Sequence, residues 1–324
     1  MIVLQSIAVL LLALLLVHGW LNRDMPRVGG KIGPRRLIDP PVLLSSGFSQ
    51  VYGRAITLFL GTDDARPFPT LKDYLRYGTA QRPSVMHIYR VAGCKTEIEI
   101  PAQAPNYERI GAEETLMLLR ELPDFRLIRR LHLSDQRSFL DPWVRKVRGD
   151  EFFLLGNATN FGLVVLYKPD RRLGTLTGLT LLHEWLHLVA FRATVAIWCF
   201  KRAGAFERLA PPALDPLSFG DPKTGLYEAW CDLGETLFGY DEAAARRAAL
   251  EAPVHATILW RHVERILRKT PMQFRSTRFA PLKRRAAFVH AEVTPKAVAA
   301  IRAARRPFWE RFFLTHYPTS ITRR

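Results

Sequence analysis

The sequence predicts an α+β fold, mostly helical with a small mixed sheet beside one buried helix, preceded by a single N-terminal transmembrane helix. Three observations carry this. The first 22 residues contain no Lys, Arg, Asp or Glu. Short β-branched and aromatic runs separated by turn residues fill much of the stretch before residue 170. From Leu173 onward the apolar residues recur at helical spacing almost to the end of the chain.

Taken in order, Ile2 to Val17 is nearly all aliphatic, and with Gly19, Trp20 and Leu21 it is long enough to cross a bilayer once. A cleaved signal peptide is the competing reading, but no basic residue precedes the apolar run. Arg23, Arg27, Lys31, Arg35 and Arg36 follow it instead, which by the positive-inside rule places the remaining chain on the cytoplasmic side. Residues 23–45, with Gly29-Gly30, Gly33-Pro34 and Pro40-Pro41, read as an irregular linker. An α+β region of unassigned role spans 46–125, with strands expected at Ala55–Leu60 and Met86–Val91 and a helix at Ala112–Leu122. A catalytic domain is expected over 126–315. It begins with strands at Phe125–Ser134, Glu151–Leu155 and Phe161–Tyr167, followed by one long helix from Leu173 to about Phe200. A loop carrying Pro211-Pro212 and Pro216 covers 201–224. Helices are then expected at about 225–238, 241–250, 254–269, 282–290 and 296–313.

Composition narrows the classes of function. A chain of 324 residues, 48% hydrophobic, can bury a full core. Its net charge is +17, which suits an anionic lipid surface, so the lipid bilayer is an expected partner. Nucleic acid is not expected, because no zinc-finger spacing, helix-turn-helix signature or basic run with interleaved aromatics is present. Cys94, Cys199 and Cys231 are scattered without CxxC spacing and do not make a disulfide framework. Cys231 reads as a small buried hydrophobe.

The chemistry lies in His183-Glu184-Trp185-Leu186-His187, followed by Glu228-Ala229-Trp230-Cys231-Asp232. Residues four apart share a helix face, so His183 and His187 can aim both imidazoles at one ion. Catalytic zinc takes three protein ligands and keeps one position open for water. Glu228 supplies the third ligand from a second helix, and Glu235 is a weaker candidate for the same role. Glu184 stands close enough to reach a metal-bound water. Asp232 is placed to accept the free N–H of a ligand histidine and fix its tautomer. An HExxH of this composition arises by chance in roughly one such chain in a hundred. The bland alternative is an amphipathic helix with two hydrogen-bonded histidines. The flanking Leu176, Leu179, Leu181, Leu182, Leu186, Leu188 and Val189 argue against it, since they make the helix buried, where adjacent polar groups need a partner such as a metal. One zinc ion per chain is the expected cofactor.

These residues resemble a known group. From about Leu127 to Val289 the chain is similar to the membrane-associated zinc metallopeptidases of the CAAX-prenyl-protease and heat-shock-protease type, gluzincins whose third zinc ligand is a glutamate. Asn157-Ala158 followed by Gly162-Leu163-Val164-Val165 resembles that family's Asn-Ala segment and the strand lining its cleft. The HExxH and the ExxxD match in order. Phe238-Gly239-Tyr240 resembles its Gly-Tyr step, and Ala280-Pro281-Leu282-Lys283-Arg284-Arg285 its Pro-Pro-Leu-x-x-Arg run. The Glu-x-x-Cys-Asp string also resembles the zinc domain of the antibiotic-sensor membrane peptidases. The resemblance implies a zincin-like metallopeptidase domain acting on protein or peptide substrates at the membrane. Asn157, Ala158 and Gly162 would lie beside the substrate, which is expected to extend along Phe161–Tyr167 as an edge strand. The family's run begins with a histidine that assists the transition state. Phe279 stands in its place here, so Arg278 is the nearest substitute as oxyanion donor, with His255, His262 and Tyr240 behind it.

The expectation is therefore a membrane-anchored zinc endopeptidase. Two rival classes are a zinc-binding sensor or adaptor with cryptic or no peptidase activity, and a membrane-tethered basic binding protein without metal.

Overall fold

A computed structural model describes residues 30–36, 83–103, 108–138, 153–159, 162–207 and 226–304, with a few further single positions up to 314. The expected membrane span over 1–22 and the expected strand Ala55–Leu60 lie outside the described residues. No helix among the described residues is long and apolar enough to cross a membrane.

One six-stranded mixed sheet underlies the molecule. Its strands are β1 (Gly30–Arg36), β2 (Pro83–Arg90), β3 (Glu97–Pro101), β4 (Arg130–Ser134), β5 (Gly156–Ala158) and β6 (Leu163–Tyr167), in the order β1-β2-β3-β4-β6-β5. The pairs β1/β2, β2/β3 and β5/β6 are antiparallel, while β3/β4 and β4/β6 are parallel. Helix α1 (Ala112–Glu121) precedes β4. Helices α2 (Gly174–Phe191), α3 (Thr194–Ala203), α4 (Leu226–Phe238), α5 (Glu242–Glu251), α6 (Pro253–Lys269), α7 (Phe279–Phe288) and α8 (Thr294–Ala303) follow the sheet.

Several sequence expectations are corrected. Residues 30–36, read as linker, form β1 in spite of Gly33-Pro34, and the pairing with β2 shifts register between Ile32 and Pro34 to accommodate them. Phe125–Leu127 is a 3-10 turn capped by Asp124, so β4 begins only at Arg130. Residues 153–155 are not a strand; the short strand begins at Gly156. The expected helix Leu173–Phe200 breaks after Phe191, where Arg192 caps the first helix and Ala193 leaves the helical backbone region. No Gly or Pro marks that break. It turns Ile197, Cys199 and Phe200 into the core, all at most 1% exposed. The boundary drawn at 125/126 runs through one sheet and one core, because β2 and β3 pair onward to β4, and Ile98, Ile100 and Leu119 share a cluster with Leu181 and Trp185.

Period-two alternation assigns the two faces of the sheet. Ile98, Ile100, Leu131, Leu133, Val164 and Leu166 join the helical core beneath α2. Leu163, Val165 and Tyr167 face the other way with Leu154. All five residues of β6 are therefore buried, which explains its unbroken apolar run Leu-Val-Val-Leu-Tyr. Helix α2 is buried on most of its circumference. Its Trp185 indole N–H donates to the Asp124 carbonyl at 2.7 Å, pinning the helix to the 3-10 turn. Helix α4 runs beside α2 at close range, since a Cβ on Gly234 would lie 2.5 Å from a Leu186 methyl.

Candidate metal centre

Local helix geometry places His183 and His187 one turn apart on the α2 face that meets α4. There the two Nε2 atoms are 3.1 Å apart. Glu228, in the first turn of α4, approaches both, with one carboxylate oxygen 3.2 Å from His183 Nε2 and the other 3.5 Å from His187 Nε2. Tetrahedral ligands held ~2.0–2.1 Å from a zinc ion sit about 3.3 Å from one another. The three groups thus make a triangle, each pair separated by about the distance that ligands of a single ion require, with Glu228 reaching the two histidines through different oxygens. The Glu228 side chain is 29% exposed, so the triangle has a solvent-facing side, as an open rather than a closed site needs.

Behind the triangle, α4 continues the stripe with Cys231, Asp232 and Glu235, three, four and seven residues after Glu228 and so on the same face. The expected support for a ligand histidine was Asp232. The structure instead brings Glu235 into hydrogen bond with His183 Nδ1, while Asp232, 1% exposed, stands 4.0 Å from that nitrogen. Glu235 thus takes the orienting position expected of Asp232, with Asp232 behind it. Its spacing of seven from Glu228 was the readable signal.

Glu184 points away from this stripe toward the sheet. It is 5% exposed and lies against the backbone of β5, where a Cβ on Gly156 would come within 2.5 Å of its Oε1, 2.8 Å of Cγ and 2.9 Å of Cδ. Only glycine leaves this carboxylate its place, and sequence reading did not find that contact. Burial pushes the Glu184 carboxyl up to about 8, a shift that the charge of His183 opposes and those of Glu228 and Glu235 reinforce. Burial lowers His187 to about 4. For His183 burial acts in the same downward sense, but hydrogen bonds and charge from Glu228 and Glu235 together outweigh it and raise the imidazole well above its ordinary value.

Strand β5 is an edge strand among the described residues, and it carries Asn157 and Ala158. Phe161–Tyr167, expected as the edge, is corrected: β6 is paired on both sides, with β4 and β5. Gly162 sits in the β5–β6 turn with φ +87, a left-handed conformation that favours glycine. Tyr167, also unforeseen, hydrogen-bonds Asn157 and Ser138, and its burial pushes the phenol up to about 12.

Arg278 is engaged at the end of α4. Its guanidinium donates to the Phe238 carbonyl at 2.8 Å and to that of Gly239, and it covers the Tyr240 ring at 4.4 Å. Arg285 donates to the Leu237 and Gly239 carbonyls at 3.0 and 2.7 Å. The two arginines satisfy the open carbonyls at the end of α4, the helix that carries Glu228 and Glu235. Tyr240 donates to Glu121, His255 is held by Glu207 at 2.8 Å, and His262 lies against Trp230. None of these contacts is with the donor triangle.

No protein-family model matches this chain, and neither curated proteins nor solved structures give a match.

Proposed function

We propose that this chain is a zinc-dependent endopeptidase, with His183, His187 and Glu228 holding the metal and Glu184 moving the proton. The observation that carries the reading is the close approach of the three groups, with the two Nε2 atoms 3.1 Å apart and the two Glu228 oxygens 3.2 and 3.5 Å from them, beside a separate buried carboxylate. Two imidazoles and one carboxylate suit a borderline ion, and zinc is proposed on that donor chemistry. Bound zinc lowers the pKa of its water toward ~7 and polarises a carbonyl oxygen.

The chain's own groups supply the rest. Glu184, held against Gly156 and near enough to feel the charges of His183 and Glu228, would take a proton from a water at the site and return it to the leaving amine. Glu235 holds the Nδ1 proton of His183, so that Nε2 is the nitrogen that would give up its proton and offer its lone pair to a metal between it, Glu228 and His187. An extended peptide can add to β5, the edge strand among the described residues, at Gly156–Ala158, drawing sequence-independent backbone hydrogen bonds beside Glu184. The apolar N-terminal segment and the charge of +17 support membrane anchoring, a cytoplasmic catalytic domain and membrane-associated protein substrates.

A zinc-binding sensor without turnover is the second reading. It is favoured by Phe279 at the position where the resembled family has histidine, and by the engagement of Arg278 at the end of α4. A casein-type assay on zinc-loaded wild type and Glu184→Gln decides between them. Turnover lost in the variant supports the peptidase, and zinc-bound wild type without turnover supports the sensor.

A further inference from the structure

The stripe on α4 carries a sulfur donor that the proposed reaction leaves unused. Cys231 follows Glu228 by three residues and is 0% exposed. Its sulfur and one ring nitrogen each of His183 and His187 all lie within 4.8 Å of one another. Glu228 meets the histidine pair from the solvent side and Cys231 from the buried side.

We propose that Cys231 is an alternative third ligand to Glu228, giving the histidine pair a second, inner coordination set, His183–His187–Cys231, that takes thiophilic ions. The inference rests on the histidine pair of the proposed function but not on its chemistry. Sulfur ~2.3 Å and nitrogen ~2.0 Å from one ion lie about 3.6 Å apart, so the set closes with a shift on the order of an ångström. Thiolate donors select soft ions, whereas carboxylate suits harder ones. One pair of imidazoles thus serves an outer oxygen set, open to water and substrate, and an inner sulfur set removed from both. On uptake the S–H bond breaks, the sulfur lone pair forms the bond to the ion, and the proton leaves to solvent.

The test uses the full-length protein, stripped of metal by a chelator and titrated with cadmium alone. Thiolate-to-cadmium absorption in the ultraviolet is followed, and bound metal is counted in parallel. Wild type is expected to show the band at one equivalent. A double variant, Cys94→Ser with Cys199→Ala, should keep it, and Glu228→Ala should keep both band and cadmium. Cys231→Ser should lose the band and weaken cadmium binding by at least the roughly 10- to 100-fold that even outer-sphere losses cost. Should Cys231→Ser fail to fold, the wild type and the double variant still decide. Stoichiometric cadmium without thiolate absorption overturns the role of Cys231 and leaves the histidine pair standing. Loss of cadmium in Glu228→Ala overturns the independence of the inner set. Failure of wild type to bind either cadmium or zinc overturns this inference together with the proposed function.

Discussion

Gly156→Ala isolates the seat of Glu184 from the metal ligands. The added methyl would lie 2.5 Å from Glu184 Oε1, 2.8 Å from Cγ and 2.9 Å from Cδ, whereas ordinary contact begins at 3.4 Å. The carboxylate must therefore retreat by about 0.9 Å, the difference between 3.4 and 2.5 Å. Because Cγ is crowded as well as the oxygen, the whole side chain must rotate, and at 5% exposure it has little room. A displacement near 1 Å in a reacting group costs on the order of 10²-fold in rate. The variant should lose about that much kcat on a peptide substrate while binding one zinc, since the three atoms nearest the added methyl all belong to Glu184. Placed in a Glu184→Gln background, the same substitution should cost almost nothing further, because its effect runs through the carboxylate it displaces. Wild-type turnover in Gly156→Ala would refute the reasoning. So would a loss of equal size in the Glu184→Gln background, which would show that Gly156 acts through strand β5 alone.

Other expectations follow from the same geometry. His187→Ala should abolish stoichiometric zinc, read by elemental analysis of the purified protein; full metal content would remove the donor triangle as drawn. Glu184→Gln should keep zinc and fold but lose turnover by on the order of 10²-fold or more, as removal of a general base does. Glu235→Ala should weaken zinc affinity by roughly 10- to 100-fold through loss of the His183 Nδ1 partner, and by more than Asp232→Ala; a competition titration with a chelator ranks the two. His262, driven down to about 4 by burial and by the nearby charge of Arg265, is neutral in the folded protein and charges more readily when unfolded. Its contribution to stability is present above pH 6.5 and is lost as pH falls toward 4, so denaturant midpoints of His262→Gln should fall less than those of wild type across that window.

Much of this arrangement is local and could be read from the chain. The pairing of His183 with His187 requires only the helical period, and the stripe Glu228–Asp232 only the same period on a second helix. The apolar run at Leu163–Tyr167 announced a strand and the leucine spacing around the HExxH a buried helix for the same reason: side-chain direction repeats over a few residues whatever the rest of the chain does. Tertiary structure decided what depends on separation in sequence. Which strand is the edge depends on β6 inserting between β4 and β5, and backbone pairing of that kind leaves little trace in composition. The choice of Glu235 over Asp232 as partner of His183 depends on how far α4 slides along α2, a distance set by the contact of Gly234 with Leu186. The turn after Phe191 has no local breaker, because burial of Ile197, Cys199 and Phe200 selects it. Glu184 has its place only because Gly156, 28 residues earlier, brings bare backbone against it. Its chemical type is written in the HExxH motif, but its position is determined by a strand that packs across the site.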